Sequence, residues 1–225
     1  VKPVGAGTRL LQLLWQLPTM TLTATNWLAW LLFGSNIAAA LGVDFAPHTS
    51  WPLVIVFLLV FASPLGRIPI GAFGARLLTA GITPGNYPRG GSVHMRIWAA
   101  ERWSDASGAR AIAGATWVLK VGKSVDLHSL PPVTGLLSLG EHCAIEPEVD
   151  LAGYWLDGDI LRVGAIEVRA GARIGARSHL MPGTVIGEEA HIEAGSTVTG
   201  EKKVKAHARW SGSPAKKVGR SKHRF

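Results

Sequence analysis

Cysteine, tyrosine and acidic residues are scarce in this chain. Of its 225 residues one is cysteine and two are tyrosine, and Asp and Glu together number 15 against 23 Lys and Arg. A single thiol, Cys143, excludes an intrachain disulfide framework and fits a reducing compartment. No histidine and carboxylate stand at a recognised metal-ligand spacing, so no metal site is expected. A cleavable signal pattern is also missing and the chain opens on Val rather than Met, which reads as a segment of a longer polypeptide. The shortage of acids leaves a formal net charge of +8. Much of the excess lies at Lys202, Lys203, Lys205, Arg209, Lys216, Lys217, Arg220, Lys222 and Arg224. That stretch lacks interleaved aromatics and any known nucleic-acid module, so a solvated basic tail is expected and nucleic-acid binding is not.

Charge is absent from two further stretches. Residues 22–43 carry none and have about the 20 residues that a bilayer-crossing helix needs. The second stretch, from Trp51 through Leu65, contains the run Val-Ile-Val-Phe-Leu-Leu-Val-Phe and lacks the polar face of a globular surface helix. Between them, residues 44–50 hold no Lys or Arg, while Lys2, Arg9, Arg67 and Arg76 flank the pair. The positive-inside rule then predicts two transmembrane helices with both ends in the cytoplasm, a multi-pass attachment to the cell membrane. Two buried helices of a soluble domain are the alternative. Beyond them, turn signals at Pro84-Gly85 and Pro88-Arg89-Gly90-Gly91 precede Val93, Ile97, Ala100 and Trp103 at helical spacing. This predicts an amphipathic helix between the membrane pair and the C-terminal half.

The C-terminal half is a repeat. Aliphatic residues recur every six positions at Val121, Leu127, Val133, Leu139, Ile145 and Leu151, then at Val168, Ile174, Leu180, Ile186, Ile192, Val198 and Val204. Small residues stand two positions before many of them, as at Ala172, Ser178, Thr184, Ala190 and Ser196. Six-residue rungs that each turn one aliphatic inward, three to a coil, bury a continuous column that no single rung could bury. The fold expected is therefore mainly β: a left-handed parallel β-helix of hexapeptide repeats behind two transmembrane α-helices and the amphipathic helix. The bounds read as 1–75 for the membrane hairpin, 76–118 for the helical linker, 119–219 for the β-helix and 220–225 for the tail. Cys143 falls at a small inward position, a structural place for a thiol. After Leu151 the register breaks at Tyr154-Trp155-Leu156-Asp157-Gly158-Asp159, and a break in a strict pattern is where a site is sought; an excluded surface loop is the alternative.

Two resemblances rest on these residues. The run Trp210-Ser211-Gly212-Ser213-Pro214-Ala215-Lys216-Lys217 resembles the closing segment of hexapeptide-repeat acyltransferases with a left-handed β-helix. That resemblance implies a groove for a pantetheine arm and active sites between neighbouring β-helices of a trimer. More of the chain is similar to the C-terminal region of membrane-bound nonribosomal peptide synthetases of the ε-poly-lysine synthetase type. The motifs are Tyr87-Pro88-Arg89-Gly90-Gly91, 125–135 (Val-Asp-Leu-His-Ser-Leu-Pro-Pro-Val-Thr-Gly), Glu146-Pro147-Glu148-Val149-Asp150-Leu151 and Trp155-Leu156-Asp157-Gly158-Asp159. This second resemblance implies a condensation unit that joins an amino-acid amine to a carrier-bound aminoacyl thioester. Its partners would be a carrier protein or domain, a free amino acid, the bilayer, and sister β-helices in a homotrimer or intrachain pseudo-trimer. No cofactor would be tightly bound; the donor would be a phosphopantetheine thioester, or coenzyme A. The chain departs from the pattern at His142 and His179, at Tyr154 in place of a histidine, and in a short stretch between Trp117 and Val121.

Aminolysis of a thioester needs a base for the amine, stabilisation of the oxyanion and a groove for the pantetheine arm. His128, directly after the inward Leu127, is the candidate base, with a purely structural histidine as the alternative; Asp157 is the second catalytic candidate. Asp126, Glu146, Glu148, Asp150 and Asp159, with Tyr154 and Trp155, are candidates for binding a cationic amino acid. Glu146, Glu148 and Asp150 are expected to share a strand face and repel one another unless a cation is present; a solvated acidic edge is the alternative. Arg173, Arg177, Trp210 and Lys216 are candidates for the pantetheine arm and its phosphates. Free acyl-coenzyme A as donor, or a trimerisation scaffold without chemistry, remain as other readings.

Overall fold

A computed structural model describes residues 5–108, 120–200 and 203–221. Trp117, the 118/119 boundary, Lys202, Lys222 and Arg224 lie outside the described residues.

Helix α1 (Ala6–Ala40) runs for 35 residues, through Pro18. Its threonines bond back to the turn beneath them, Thr19 to Gln16 O at 2.9 Å and Thr21 to Leu17 O at 2.8 Å. Such bonds satisfy hydroxyls on an otherwise apolar face without water. The chain then turns, and the turn is stitched to the helix: buried Asn36 donates to Thr49 O at 2.6 Å and accepts from Thr49 N at 2.8 Å. Helix α2 (Trp51–Phe57) passes into a π-helical turn over Leu58–Ala62, and Ser63-Pro64 opens α3 (Pro64–Thr79). A Cβ on Gly66 would collide with the Val60 carbonyl, so the bend at this junction needs glycine there.

The membrane expectation is corrected in form. The stretch 22–43 is the distal part of a longer helix whose first turns carry Arg9, Gln12 and Gln16, and the second stretch is broken at Ser63-Pro64. Among the described residues no single helix is long and apolar enough to cross a membrane. Trp51–Ala62 with Pro64–Thr79, bent by 49°, passes that test only as a pair. Residue 75, expected as a boundary, falls inside α3.

The helix expected around Val93, Ile97, Ala100 and Trp103 is α4 (Ser92–Ser107), closed by Gly108 in the left-handed conformation (φ 69°). It lies along both long helices. Trp15 Nε1 donates to Ala99 O (3.2 Å) from α1, and Trp103 Nε1 donates to Ile70 O (3.1 Å) of α3. A Cβ on Gly74 would sit within the Trp103 indole, which explains the glycine at that crossing. The opposite face of α4 buries Ile97 and Ala100 against Val133, Leu161 and Val163.

From residue 120 the chain winds as a parallel β-helix. One sheet holds β2 (Lys120–Val121), β4 (Leu137–Leu139), β9 (Ile166–Val168) and β12 (Val185–Ile186). A second holds β3 (Asp126–Leu127), β5 (Ala144–Ile145), β10 (Arg173–Ile174), β13 (His191–Ile192) and the terminal hairpin β15 (Ala208–Gly212) with β16 (Ala215–Arg220). The third holds β6 (Asp150–Leu151), β11 (His179–Leu180) and β14 (Thr197–Val198). From Leu139 onward every aliphatic of the predicted column is buried, and Ala172, Ser178, Thr184, Ala190 and Ser196 are buried beside them. Ser178 Oγ donates to Glu193 O (3.0 Å) and Thr184 Oγ1 to Met181 O (2.6 Å), so the inward hydroxyls are satisfied. Val133 is buried too, but in the cluster beneath α4.

The register break has a defined place. His179 pairs with Thr197 one regular coil later, whereas the coil that carries Asp150 round to its partner His179 is longer by nearly two rungs. The surplus forms a β-hairpin, β7 (Tyr154–Asp157) and β8 (Ile160–Val163), turning at Gly158 with φ 59°. Strand β8 also pairs antiparallel with β1 (Gly85–Pro88), giving the sheet order β1-β8-β7. The insertion is thus the joint between helices and β-helix rather than a free loop.

Candidate functional site

Three outward surfaces gather the candidate residues. The first is the face of the second sheet, where backbone pairing stacks Asp126, Ala144, Arg173, His191 and Arg209 in one column. His128, Glu146 and Glu193 stand two residues beyond Asp126, Ala144 and His191 along their strands. Same-face spacing brings His128 Nε2 to 2.9 Å from Asp126 Oδ1, and both groups are half-exposed. A carboxylate on one ring nitrogen fixes the imidazole's orientation and leaves Nδ1 for a proton transfer. Glu146 Oε2 accepts from Ala176 N at 2.8 Å. Arg209 is ion-paired to Glu193, whose carboxyl is held below its usual range first by a hydrogen bond from Ser211 and then by Arg209.

His191, which sequence reasoning did not select, sits between Arg173 and Arg209 in this column. Partial burial and then the Arg209 charge lower its pKa, so the ring is neutral and able to accept a proton at neutral pH. The signal for it was in the sequence: like Asp126 and Arg173, it directly precedes an inward aliphatic. Trp210 packs inward against the core, and its Nε1 is buried without a hydrogen-bond partner among the described residues. Lys216 stands opposite Ser211 on the terminal hairpin.

The second surface is the corner between the second and third sheets. Glu148 and Arg177, both in the left-handed conformation, meet there at 2.7 Å across an open groove of about 510 Å³ that Ala176 and Gly195 also line. The expected repulsion among Glu146, Glu148 and Asp150 is corrected. Glu146 ends one sheet, Glu148 turns the corner, and Asp150 begins the next, so they share no strand face. Each has its own partner, Asp150 having His179 Nδ1 at 3.4 Å. Arg177, a candidate for phosphate, has its charge reinforced by Glu148 instead.

The third surface belongs to the inserted hairpin. Strand alternation turns Trp155 and Asp157 to one side and Tyr154 to the other. Asp157 Oδ2 accepts from Arg162 Nη2 at 2.6 Å beside the exposed Trp155. With Met181, Pro182, Thr199 and Gly200 they border a cleft of about 270 Å³. Tyr154 instead donates to the Glu101 carboxylate on α4 at 3.1 and 3.2 Å, and Asp159 O accepts from Arg89 N at 2.9 Å. Tyr154 and Asp159 therefore tie the hairpin to the helical layer, while Trp155 and Asp157 face the cleft. His128 and Asp157 are not brought together within one chain: one lies on a sheet face, the other on a hairpin that leaves a different corner.

Parts of this chain are similar to known proteins. Residues 165–200 match the family described as bacterial transferase hexapeptide (six repeats). The chain is 28% identical over 176 residues to Delta-poly-L-ornithine synthetase of Acinetobacter baumannii (strain AB307-0294), an alignment that covers 74% of this chain and 13% of that protein. The chain thus spans about an eighth of the length of the curated relative it matches. Among solved structures, the serine acetyltransferase of Neisseria gonorrhoeae overlaps 91% of this chain and 70% of its own, at 20% identity and a TM-score of 0.43. A hexapeptide-repeat acetyltransferase of Vibrio cholerae O1 biovar eltor, complexed with acetyl coenzyme A, overlaps 72% of this chain and 91% of its own, at 14% identity and a TM-score of 0.42.

Proposed function

We propose that this chain is an acyltransferase unit of a membrane-associated nonribosomal peptide synthetase, joining a carrier-bound aminoacyl thioester to the amine of an amino acid. One observation carries the reading. The alignment with the poly-ornithine synthetase covers more residues than the β-helix contains, so the likeness extends into the helical layer that plain hexapeptide repeats do not require.

In this reading the acceptor ammonium gives its first proton to water and its nitrogen attacks the thioester carbonyl. His128, oriented by Asp126, takes the second proton from nitrogen and returns it to the departing sulfur, so a C–N bond forms, a C–S bond breaks and a thiol leaves. Arg173 and Lys216 supply positive charge toward the donor's phosphate, and the groove beside Glu148 and Arg177 offers room for its arm. Because His128 and the hairpin cleft lie on different faces, the complete site forms between neighbouring left-handed β-helices, in a homotrimer or an intrachain pseudo-trimer. The apolar faces of α1 and α2, with Leu14, Leu17, Leu31 and Ile55 exposed, sit in the cytoplasmic leaflet or across the bilayer.

The test is to supply a carrier domain loaded with an aminoacyl thioester together with free L-ornithine. Amide product that disappears in His128→Ala is expected, and no product from the native chain overturns the reading. Mixing His128→Ala with Asp157→Asn chains is expected to restore about a quarter of the activity if each site draws one residue from each of two copies; no recovery overturns a site shared between separate chains. The Ser-Pro-Ala-Lys end and the hexapeptide match at 165–200 also favour a second reading, transfer from free acyl-coenzyme A, and turnover of acetyl-coenzyme A with no carrier present would select it.

A further inference from the structure

The outer face of the three-stranded sheet carries Trp155, Asp157 and Arg162, with Asn86 of β1 directly across from Arg162. Its charged pair is half-exposed on both sides. A pair so open to water contributes little to stability and yields easily to a better partner. The hydrogen bond engages Oδ2 and Nη2, so Oδ1 and the other guanidinium nitrogens are not part of it. The indole bounds one side of the cleft and the Met181–Pro182 corner the other. At about 270 Å³ the cleft falls below the roughly 300–1,000 Å³ of drug-sized sites, so it suits a small metabolite.

We infer that this cleft is a receptor for the zwitterion of a free α-amino acid, its ammonium on Asp157, its carboxylate forked on Arg162, and its side chain against Trp155. A molecule with both charges on one carbon is what such a pair can accept in exchange for its own bond, because each half keeps an opposite charge within hydrogen-bond reach. An aromatic face beside the cationic end adds attraction to the ammonium. The inference rests on the condensation reading, in which a free amino acid is the acceptor. It adds Arg162 as the group that selects for an unblocked carboxylate, so a peptide or an amide would be refused.

Whole protein labelled with 5-fluorotryptophan, its Trp155 resonance assigned from W155F, is titrated with L-alanine, with L-ornithine and with N-acetyl-L-alanine amide. A saturable shift of Trp155 is expected with both free amino acids, and binding at least tenfold weaker with the blocked compound. R162Q and D157N should each weaken the response at least tenfold while the other eight tryptophan resonances stay in place, which separates a lost site from a lost fold. An equal response to the blocked compound, or an undiminished one in both variants, overturns the inference. Amide synthesis by a chain whose Trp155 is silent also overturns it and leaves the condensation reading standing. A response in a chain that makes no amide sustains the receptor and sinks the condensation reading.

Discussion

The two halves of this molecule use the same aliphatic residues to opposite ends. In the β-helix, Ile174, Leu180, Ile186 and Ile192 have no accessible surface, because each coil covers the one before it. In the helical layer Leu14 is 51% and Leu31 67% exposed. Packing of α4 and α2 covers only part of α1 and α3, where Phe33 meets Trp51 and Leu22 is buried, while Leu13, Phe73 and Leu77 stay exposed among the described residues. One half completes its own core, and the other leaves many large apolar side chains exposed. Under the function proposed above, that contrast assigns the chemistry to the β-helix and attachment to the helices.

The widest test of the contrast compares truncations at a buried and an exposed position. Ile174→Ala is expected to lower the unfolding free energy of the β-helix by about 2–5 kcal/mol, the cost of a core cavity, as measured by urea titration in detergent. Leu31→Ala should change it by no more than about 0.5 kcal/mol. Replacing Leu14, Leu17 and Leu31 together by Ser should instead reduce flotation with liposomes. Comparable losses of stability at both positions would erase the distinction.

Glycines sharpen it next. A Cβ on Gly175 would stand 2.5 Å from Ala194 N in the coil above, whereas one on Gly34 of α1 meets nothing within 4 Å. Gly175→Ala should therefore cost about 1–3 kcal/mol of overpacking. Gly34→Ala should leave stability unchanged or raise it by about 0.5–1 kcal/mol, the entropic gain of alanine inside a helix. Thermal unfolding of the two variants, read side by side, decides it.

This asymmetry also explains what was legible in the sequence. A column whose members must all face inward every six residues writes itself into local spacing, so Leu139 through Val204 could be read directly, and the place of the break with them. What fills the break could not, because β8 takes its partner from β1, which precedes α4 in the chain, and no local pattern records so distant a pairing. Nor did spacing reveal that the chain turns a corner between Glu146 and Asp150, which left the acidic residues misread as one face. In the helices the apolar runs were evident while their ends were not, since α1 continues through Pro18 back to Ala6. Arg162 escaped notice because only cross-strand pairing places it beside Trp155.

Between the halves stands one phenol. Tyr154→Phe removes the bond to Glu101 and should cost about 1 kcal/mol, since both groups keep some access to water. Hydrogen exchange is the measurement of choice. Amides of β1 and β8 should open faster in the variant while those of β10 and β13 keep their rates, and uniform acceleration would mean that helices and β-helix unfold as one unit.

The smallest expected effect is a dependence on acid with a source in each half. Burial and then Arg89 depress the pKa of His94, whose Nδ1 accepts from Gly90 N at 2.8 Å and so must stay unprotonated. Burial and then Arg209 depress that of His191. For a histidine held below its ordinary value of about 6.5, the unfolded chain binds the proton first. The native state is therefore at full strength above that pH and loses ground as pH falls from there through the depressed folded value. Urea midpoints taken between pH 7.5 and 5.5 should decline, and His191→Gln should flatten the part of the decline that belongs to the β-helix. Exchange at the first turn of α4, where His94 acts, should still quicken in acid in that variant, and a turn indifferent to pH would show that His94 is not what closes it.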